Sequence, residues 1–134
     1  MKEKKEAIAA EKAPQAIGPY SQAVRTGSWL FLSGQIGLDA GSGELVAGGV
    51  VAETRQVLEN LRAVLTAAGG TLDDVVRTTI YLVDLSDFSR VNDAYAGFFR
   101  TPYPARATVG VAALPRGAHV EIDAIALIAS PSGS

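Results

Sequence analysis

The stretch "VEIDAIALI", Val120 to Ile128, sets the tightest limit on what this chain can become. Its side chains alternate, as those of a strand must. Val120, Ile122, Ala124, Ala126 and Ile128 make one wholly apolar face, which asks for a layer packed over it. Glu121 and Asp123 share the other face with Ile125 and Leu127. In a lone two-layer domain that second face meets water, so its aliphatic half predicts a cover supplied by another subunit.

Two segments with helical spacing supply the first layer. "VVAETRQVLENLRAVLTAAGG" sets Val51, Thr54, Leu58, Leu61, Leu65 and Ala68 three or four residues apart, with Glu53, Arg55, Glu59 and Arg62 largely off that stripe. Gly69-Gly70 ends it, since glycine takes the left-handed conformation without steric cost. "SDFSRVNDAYAGFFRTP" spaces Phe88, Val91, Tyr95 and Phe98 in the same way. Ser86 is its expected N-cap, and Pro102 forbids its continuation.

Strands fill the rest. "SWLFLSGQI" is apolar on both faces. "VVRTTIYLV" turns Val76, Thr78, Ile80 and Leu82 one way, and "YPARATVGV" precedes the final strand. "DAGSGEL" and "ALPRGAH" read as turns. The order strands, helix, strand, helix, strand, strand predicts an α+β domain with two helices over one mixed sheet. Residues 13–129 form that domain. Residues 1–12 are a charged lead-in and 130–134 a tail, both expected to be flexible.

Composition removes whole classes of function. A hydrophobic fraction of 48% with 19% charged residues suits one globular domain. A net charge of -2 without a basic run leaves no footprint for nucleic acid. The absence of Cys excludes disulfides, thiolate nucleophiles and zinc–thiolate sites, and a single His119 cannot build a histidine cluster. His119 reads as a loop or strand-edge residue. "MKEKKEAIAAEKAP" lacks the apolar core of a signal peptide, and no apolar run is long enough to span a membrane, so a soluble cytoplasmic protein is the expectation. "GSG" at Gly41 to Gly43 lacks the lysine and helix of a phosphate loop and reads as a turn. Asp73-Asp74 reads as capping rather than as metal binding.

Chemistry is most legible at Arg106. A guanidinium is never neutral in a protein, yet here it stands in a strand of small and β-branched residues. Alternation sets Arg106, Thr108 and Gly110 on one face, with Ala107, Val109 and Val111 on the other. The short connection to "VEIDAIALI" predicts that the last two strands pair and bring Arg106 and Glu121 together. That spacing fits a structural ion pair and equally fits a site where arginine grips a carboxylate through parallel hydrogen bonds. Tyr20 after Gly18-Pro19, Ser33-Gly34 near a strand end and Asn92 on the second helix are weak signals taken singly.

Taken together, "APQAIGPYSQAV", "FLSGQIGLD", "VLENLRAVLTAAGGTLDDVVRTTIYLVDLSDFSRVNDAYAGFF" and "YPARATVGVAALPRGAHVEIDAIA" resemble the reactive intermediate/imine deaminase (RidA, or YjgF) family, from about Ala13 to Ala126. The resemblance implies a chorismate-mutase-like α+β fold with a mixed six-stranded sheet and two helices on one face. It implies a homotrimer whose sheets line a central barrel, with clefts between subunits. The implied activity is hydrolysis of 2-imino acids such as 2-iminobutanoate and 2-iminopropanoate, products of pyridoxal-phosphate enzymes, to 2-keto acids and ammonia. No metal or cofactor is implied; it is composition that argues against nucleic acid and membrane partners. Position by position, Arg106 matches the arginine that binds the substrate carboxylate, and Glu121 the acid that orients water. Tyr20 matches a tyrosine lining the cleft, Ser33 and Gly34 the pair that admits the substrate, and Asn92 the helix asparagine. Thr108 stands where many members carry Cys. The rivals within the same resemblance are a non-catalytic member that binds small carboxylates and a nucleic-acid-directed or chaperone-like role, the acidic balance arguing against a ribonuclease.

Overall fold

The alternation of the last strand organises the observed sheet. The computed structural model describes residues 4–129, so the tail expected at 130–134 lies outside the described residues. Strands β1 (Glu6–Ile8), β2 (Ala23–Thr26) and β3 (Trp29–Gln35) pair antiparallel in sequence order. Helix α1 (Gly49–Ala67) leads from β3 to β4 (Val75–Leu82), and α2 (Phe88–Ala96) from β4 to β5 (Ala105–Gly110). Strand β6 (Val120–Leu127) ends the domain, and the sheet order is β1-β2-β3-β6-β4-β5. β6 runs antiparallel to both β3 and β4, while β4 and β5 are parallel.

Val120, Ile122, Ala124, Ala126 and Ile128 are buried, as their alternation predicts. They meet Leu58, Leu61 and Leu65 of α1 and Val91 and Tyr95 of α2, so both helices cover one face. α1 ends in a Schellman motif: Gly70 N–H donates to Leu65 O at 2.8 Å and Gly69 N–H to Thr66 O at 3.0 Å. Gly69 takes φ +85°, the conformation its expected role as stop signal demands.

The last two strands do not pair. β5 lies at the sheet edge beside β4, and β4 separates it from β6. The physical reason is the β4–α2–β5 crossover, which returns β5 parallel to β4 and takes that edge. The connection to β6 straddles the end of β4. It leaves beside Leu82, whose carbonyl accepts Val111 N–H at 2.9 Å, and returns at His119, whose carbonyl accepts Val83 N–H at 3.3 Å.

Local irregularities correct four further expectations. A bulge between Val75 and Arg77 makes Val75 the buried residue and leaves Val76 40% exposed. Asp84, not Ser86, caps the turn Leu85–Asp87 that precedes α2, its carboxylate accepting Ser86 N–H at 2.9 Å. α2 stops at Ala96, so Phe99 rather than Phe98 packs inward, with its ring 4.6 Å from that of Tyr95. Glu53, expected off the α1 stripe, is buried at 1% exposure. Its spacing from Val50 and Val57 places it on the packed side.

The charged lead-in contributes β1. Gln22 then ties the following segment down: its Oε1 accepts Ala10 N–H at 2.5 Å and its Nε2 donates to Pro14 O at 2.7 Å.

Candidate functional site

Parallel pairing with β4 decides where Arg106 points. Arg106 stands opposite Thr78, which is buried under the helices, so Arg106 lies on the helix-covered face. Because β5 is the edge strand, that face is only partly roofed there. The guanidinium carbon sits 5.0 Å from the ring centroid of Tyr95 and 5.5 Å from that of Phe88, both on α2. This is cation–π geometry. Among the described residues no carboxylate pairs with Arg106. The ion-pair reading with Glu121 therefore fails within one chain.

A hollow of about 490 Å³ opens at this point, lined by Asn92, Tyr95, Ala96, Tyr103, Pro104 and Arg106. Tyr95 is held from behind, its hydroxyl 2.8 Å from Thr78 Oγ1, and burial pushes its phenol above the ordinary value. It stays a neutral aromatic platform. Thr108 follows Arg106 on the same face, and its Oγ1 is buried with no hydrogen-bond partner among the described residues. An unmade hydrogen bond at a buried hydroxyl is costly, so that oxygen is ready to accept one.

The remaining expected residues gather on the opposite face of the sheet. Glu121 stands opposite Tyr81, beside Asp123, and Asp123 accepts a hydrogen bond from the Tyr81 hydroxyl at 2.9 Å. Burial first, and then the charge of Asp123, hold the Glu121 carboxyl above the usual carboxylate range. Its Oε2 lies 2.1 Å from where a Cβ on Gly34 would be, so only glycine admits it. Ser33 Oγ donates to Ser21 O at 2.6 Å. Tyr20 stands exposed on the loop before β2, where Gly18 takes φ +116° and its carbonyl accepts Tyr20 N–H at 2.9 Å.

The seven expected residues thus fall into two groups on opposite sides of the sheet. Arg106, Thr108 and Asn92 occupy the helix-covered side at the β5 edge. Glu121, Ser33 and Gly34 occupy the outer face, and Tyr20 stands on the loop next to Ser21, whose carbonyl accepts from Ser33 Oγ. Phe88, Tyr95 and Tyr103 were not singled out for the hollow by the sequence. Helical spacing puts Phe88 on the core stripe, yet it is 41% exposed and faces the guanidinium. The usable signal was a cation three positions after an exposed tyrosine, Tyr103, with two aromatics on the preceding helix. His119 precedes β6 as a half-exposed residue, and Asp74 caps the Leu72–Asp74 turn in a box with Thr71. No helix is long and apolar enough to cross a membrane among the described residues.

Fold and hollow together define an α+β domain with a cationic edge cleft and a carboxylate-bearing outer face. The family model described as Endoribonuclease L-PSP matches residues 10–128. The chain belongs to this family, whose members include the reactive intermediate/imine deaminases. The mouse protein named 2-iminobutanoate/2-iminopropanoate deaminase is 54% identical over 120 residues, 90% of this chain and 89% of that protein. The solved RidA of an Antarctic Psychrobacter species has a TM-score of 0.89 at 48% identity, covering 92% of this chain and 99% of that one. Escherichia coli TdcF, solved with bound serine, has a TM-score of 0.87 at 42% identity, covering 91% and 98%.

Proposed function

We propose that this chain hydrolyses small 2-imino acids, 2-iminobutanoate and 2-iminopropanoate among them, to 2-keto acids and ammonia. The observation that carries the reading is the Arg106 guanidinium, held over two aromatic rings beside an open hollow and left without a carboxylate of its own among the described residues. A small organic acid supplies the missing charge through two parallel N–H···O bonds. The printed name of the mouse relative and the serine bound to TdcF support a guest of this size and charge.

The site is composite. Arg106 and Glu121 lie on opposite faces of one sheet, so one substrate meets both only across a subunit boundary. The outer face supports such a boundary: Trp29, Phe31, Val109 and Leu127 are each 39–45% exposed on it. A homotrimer with clefts between subunits covers that face and brings the Arg106 half of one protomer to the Glu121 half of its partner.

Within that cleft Arg106 fixes the carboxylate and thereby the adjacent C=N carbon, a gain in positioning. Thr108 Oγ hydrogen-bonds the nitrogen or the attacking water, and Asn92 borders the hollow. Water adds to the protonated imine carbon while Glu121 takes its proton, giving a carbinolamine. Glu121 then returns that proton to the amine, and as the C–N bond breaks and ammonia leaves, the hydroxyl gives its remaining proton to Glu121 and the C=O bond closes; the departing ammonia carries that proton away as ammonium. A carboxyl held above its usual range suits this exchange, because its carboxylate is a stronger base toward the attacking water and holds the proton until the amine takes it.

A dehydratase-coupled assay that follows loss of 2-iminobutanoate tests the reading. Arg106→Ala should abolish the protein-dependent rate, and full activity in that variant would remove Arg106 from the mechanism. Binding of 2-ketobutanoate without any acceleration of imine loss would establish the non-catalytic alternative instead.

A further inference from the structure

Helix α1 buries a carboxylate that the chemistry above does not use. Glu53 is 1% exposed, and both its oxygens are engaged by one residue. Oε1 accepts the His119 backbone N–H at 2.7 Å, and Oε2 lies 2.5 Å from His119 Nδ1. A buried carboxylate is costly to keep unless fully hydrogen-bonded, so these contacts hold it in one place. An acceptor at Oε2 fixes the proton on Nδ1, which serves in the neutral and the charged ring alike.

The helix reaches His119 because of Gly37. A Cβ there would lie 2.9 Å from Glu53 Cα and 3.0 Å from its carbonyl oxygen. Glu53 thus touches the chain just beyond β3 and the chain just before β6 at once. Between those points and the outer half-site the β3–β6 ladder is interrupted. Leu32 pairs with Ala124 and Gln35 with Ile122, so β3 carries an extra residue where Ser33 and Gly34 sit. At Gly34 itself no β3–β6 pair fixes the spacing; only the flanking pairs do, with β4 holding the other edge of β6 at Tyr81–Glu121.

We infer that Glu53 and His119 are positioning residues for the reaction, clamping the start of β6 so that the Glu121 carboxylate is held over Gly34. The inference rests on Glu121 being the water-handling group proposed above. The clamp is distinct from the substrate-binding half-site, since Arg106 sits on the edge strand β5 against α2, while Glu53 belongs to α1 and His119 to the start of β6.

The test measures kcat and KM on enzymatically generated 2-iminobutanoate, together with melting temperature and oligomeric state. Glu53→Leu and His119→Leu should lower kcat between about tenfold and a hundredfold, the effect of a roughly 1 Å misplacement, and leave KM near the parent value. Glu53→Gln and His119→Asn keep a hydrogen-bonding partner and should restore most of kcat. Unchanged kcat per folded protomer in both Leu variants, with only a lower melting temperature, would overturn the inference. Should Glu53→Leu fail to fold, His119→Leu carries the test, because the His119 side chain is 52% exposed. Glu121→Gln is assayed alongside. If it keeps full kcat, the functional reading of Glu121 fails. If it loses kcat while both Leu variants keep theirs, only the positioning inference fails.

Discussion

Gly34→Ala presses directly on the Glu121 carboxylate. The φ of Gly34 lies outside the left-handed region, so alanine meets no backbone strain there. The new methyl would instead stand 2.1 Å from Glu121 Oε2, 2.9 Å from Cδ and 3.2 Å from Cγ. Ordinary contact begins at 3.4 Å, so the carboxylate must retreat by about 1.3 Å. Glu121 is a flexible side chain, and moving it off its rotamer costs about 0.5–1.5 kcal/mol. Replacing glycine returns about 0.4–1 kcal/mol by narrowing the unfolded ensemble. The two nearly cancel, and the melting temperature should barely change. The rate should not survive so well, because a displacement of this size costs on the order of a hundredfold in a positioned reaction. Thermal melts, light scattering for assembly and the coupled imine assay give the three readouts on one sample. Parent-like kcat in a folded, assembled Gly34→Ala protein would refute the role given to Glu121.

Three other outcomes are expected. Thr108→Val removes the orphaned buried hydroxyl, so KM should rise about tenfold, the worth of one hydrogen bond, while the melting temperature holds or rises; a lower melting temperature with unchanged KM would contradict this. Phe31→Asp places a charge on the uncovered sheet face and should give monomers by size-exclusion light scattering, with activity lost in step; active monomers would refute the composite site. The folded chain binds the Glu121 proton more tightly than the unfolded chain does, so this group's contribution to stability is complete below the ordinary value of 4.5 and fades as pH rises through the folded-state value. Glu121→Gln removes that fade, so its melting temperature relative to the parent should climb from about pH 4 to about pH 7, and a pH-independent difference would refute the assignment.

The sequence by itself determined what local periodicity can encode. The burial of Val120, Ile122 and Ala124, the stop at Gly69-Gly70 and the apolar outer face each follow from which neighbours a side chain has on its own strand or helix. The family was legible for the same reason, because its motifs are contiguous runs. Glu53 was readable in principle, lying at helical spacing from Val50 and Val57, but its charge argued the wrong way until His119 was seen to satisfy it. The bulges at Val75 and Ser33-Gly34 left no mark in composition, since an extra residue in one strand exists only relative to its partner.

Only the tertiary structure decided the sheet order. Strand pairing is a contest among distant segments, and a short connection between β5 and β6 did not win it against the β4–α2–β5 crossover. That one outcome put Arg106 and Glu121 on opposite faces, so the pair expected within one chain does not form there, and the function proposed above requires a second copy to bring the two together. Alternation tells a residue which neighbours share its face, but the fold alone says which face that is.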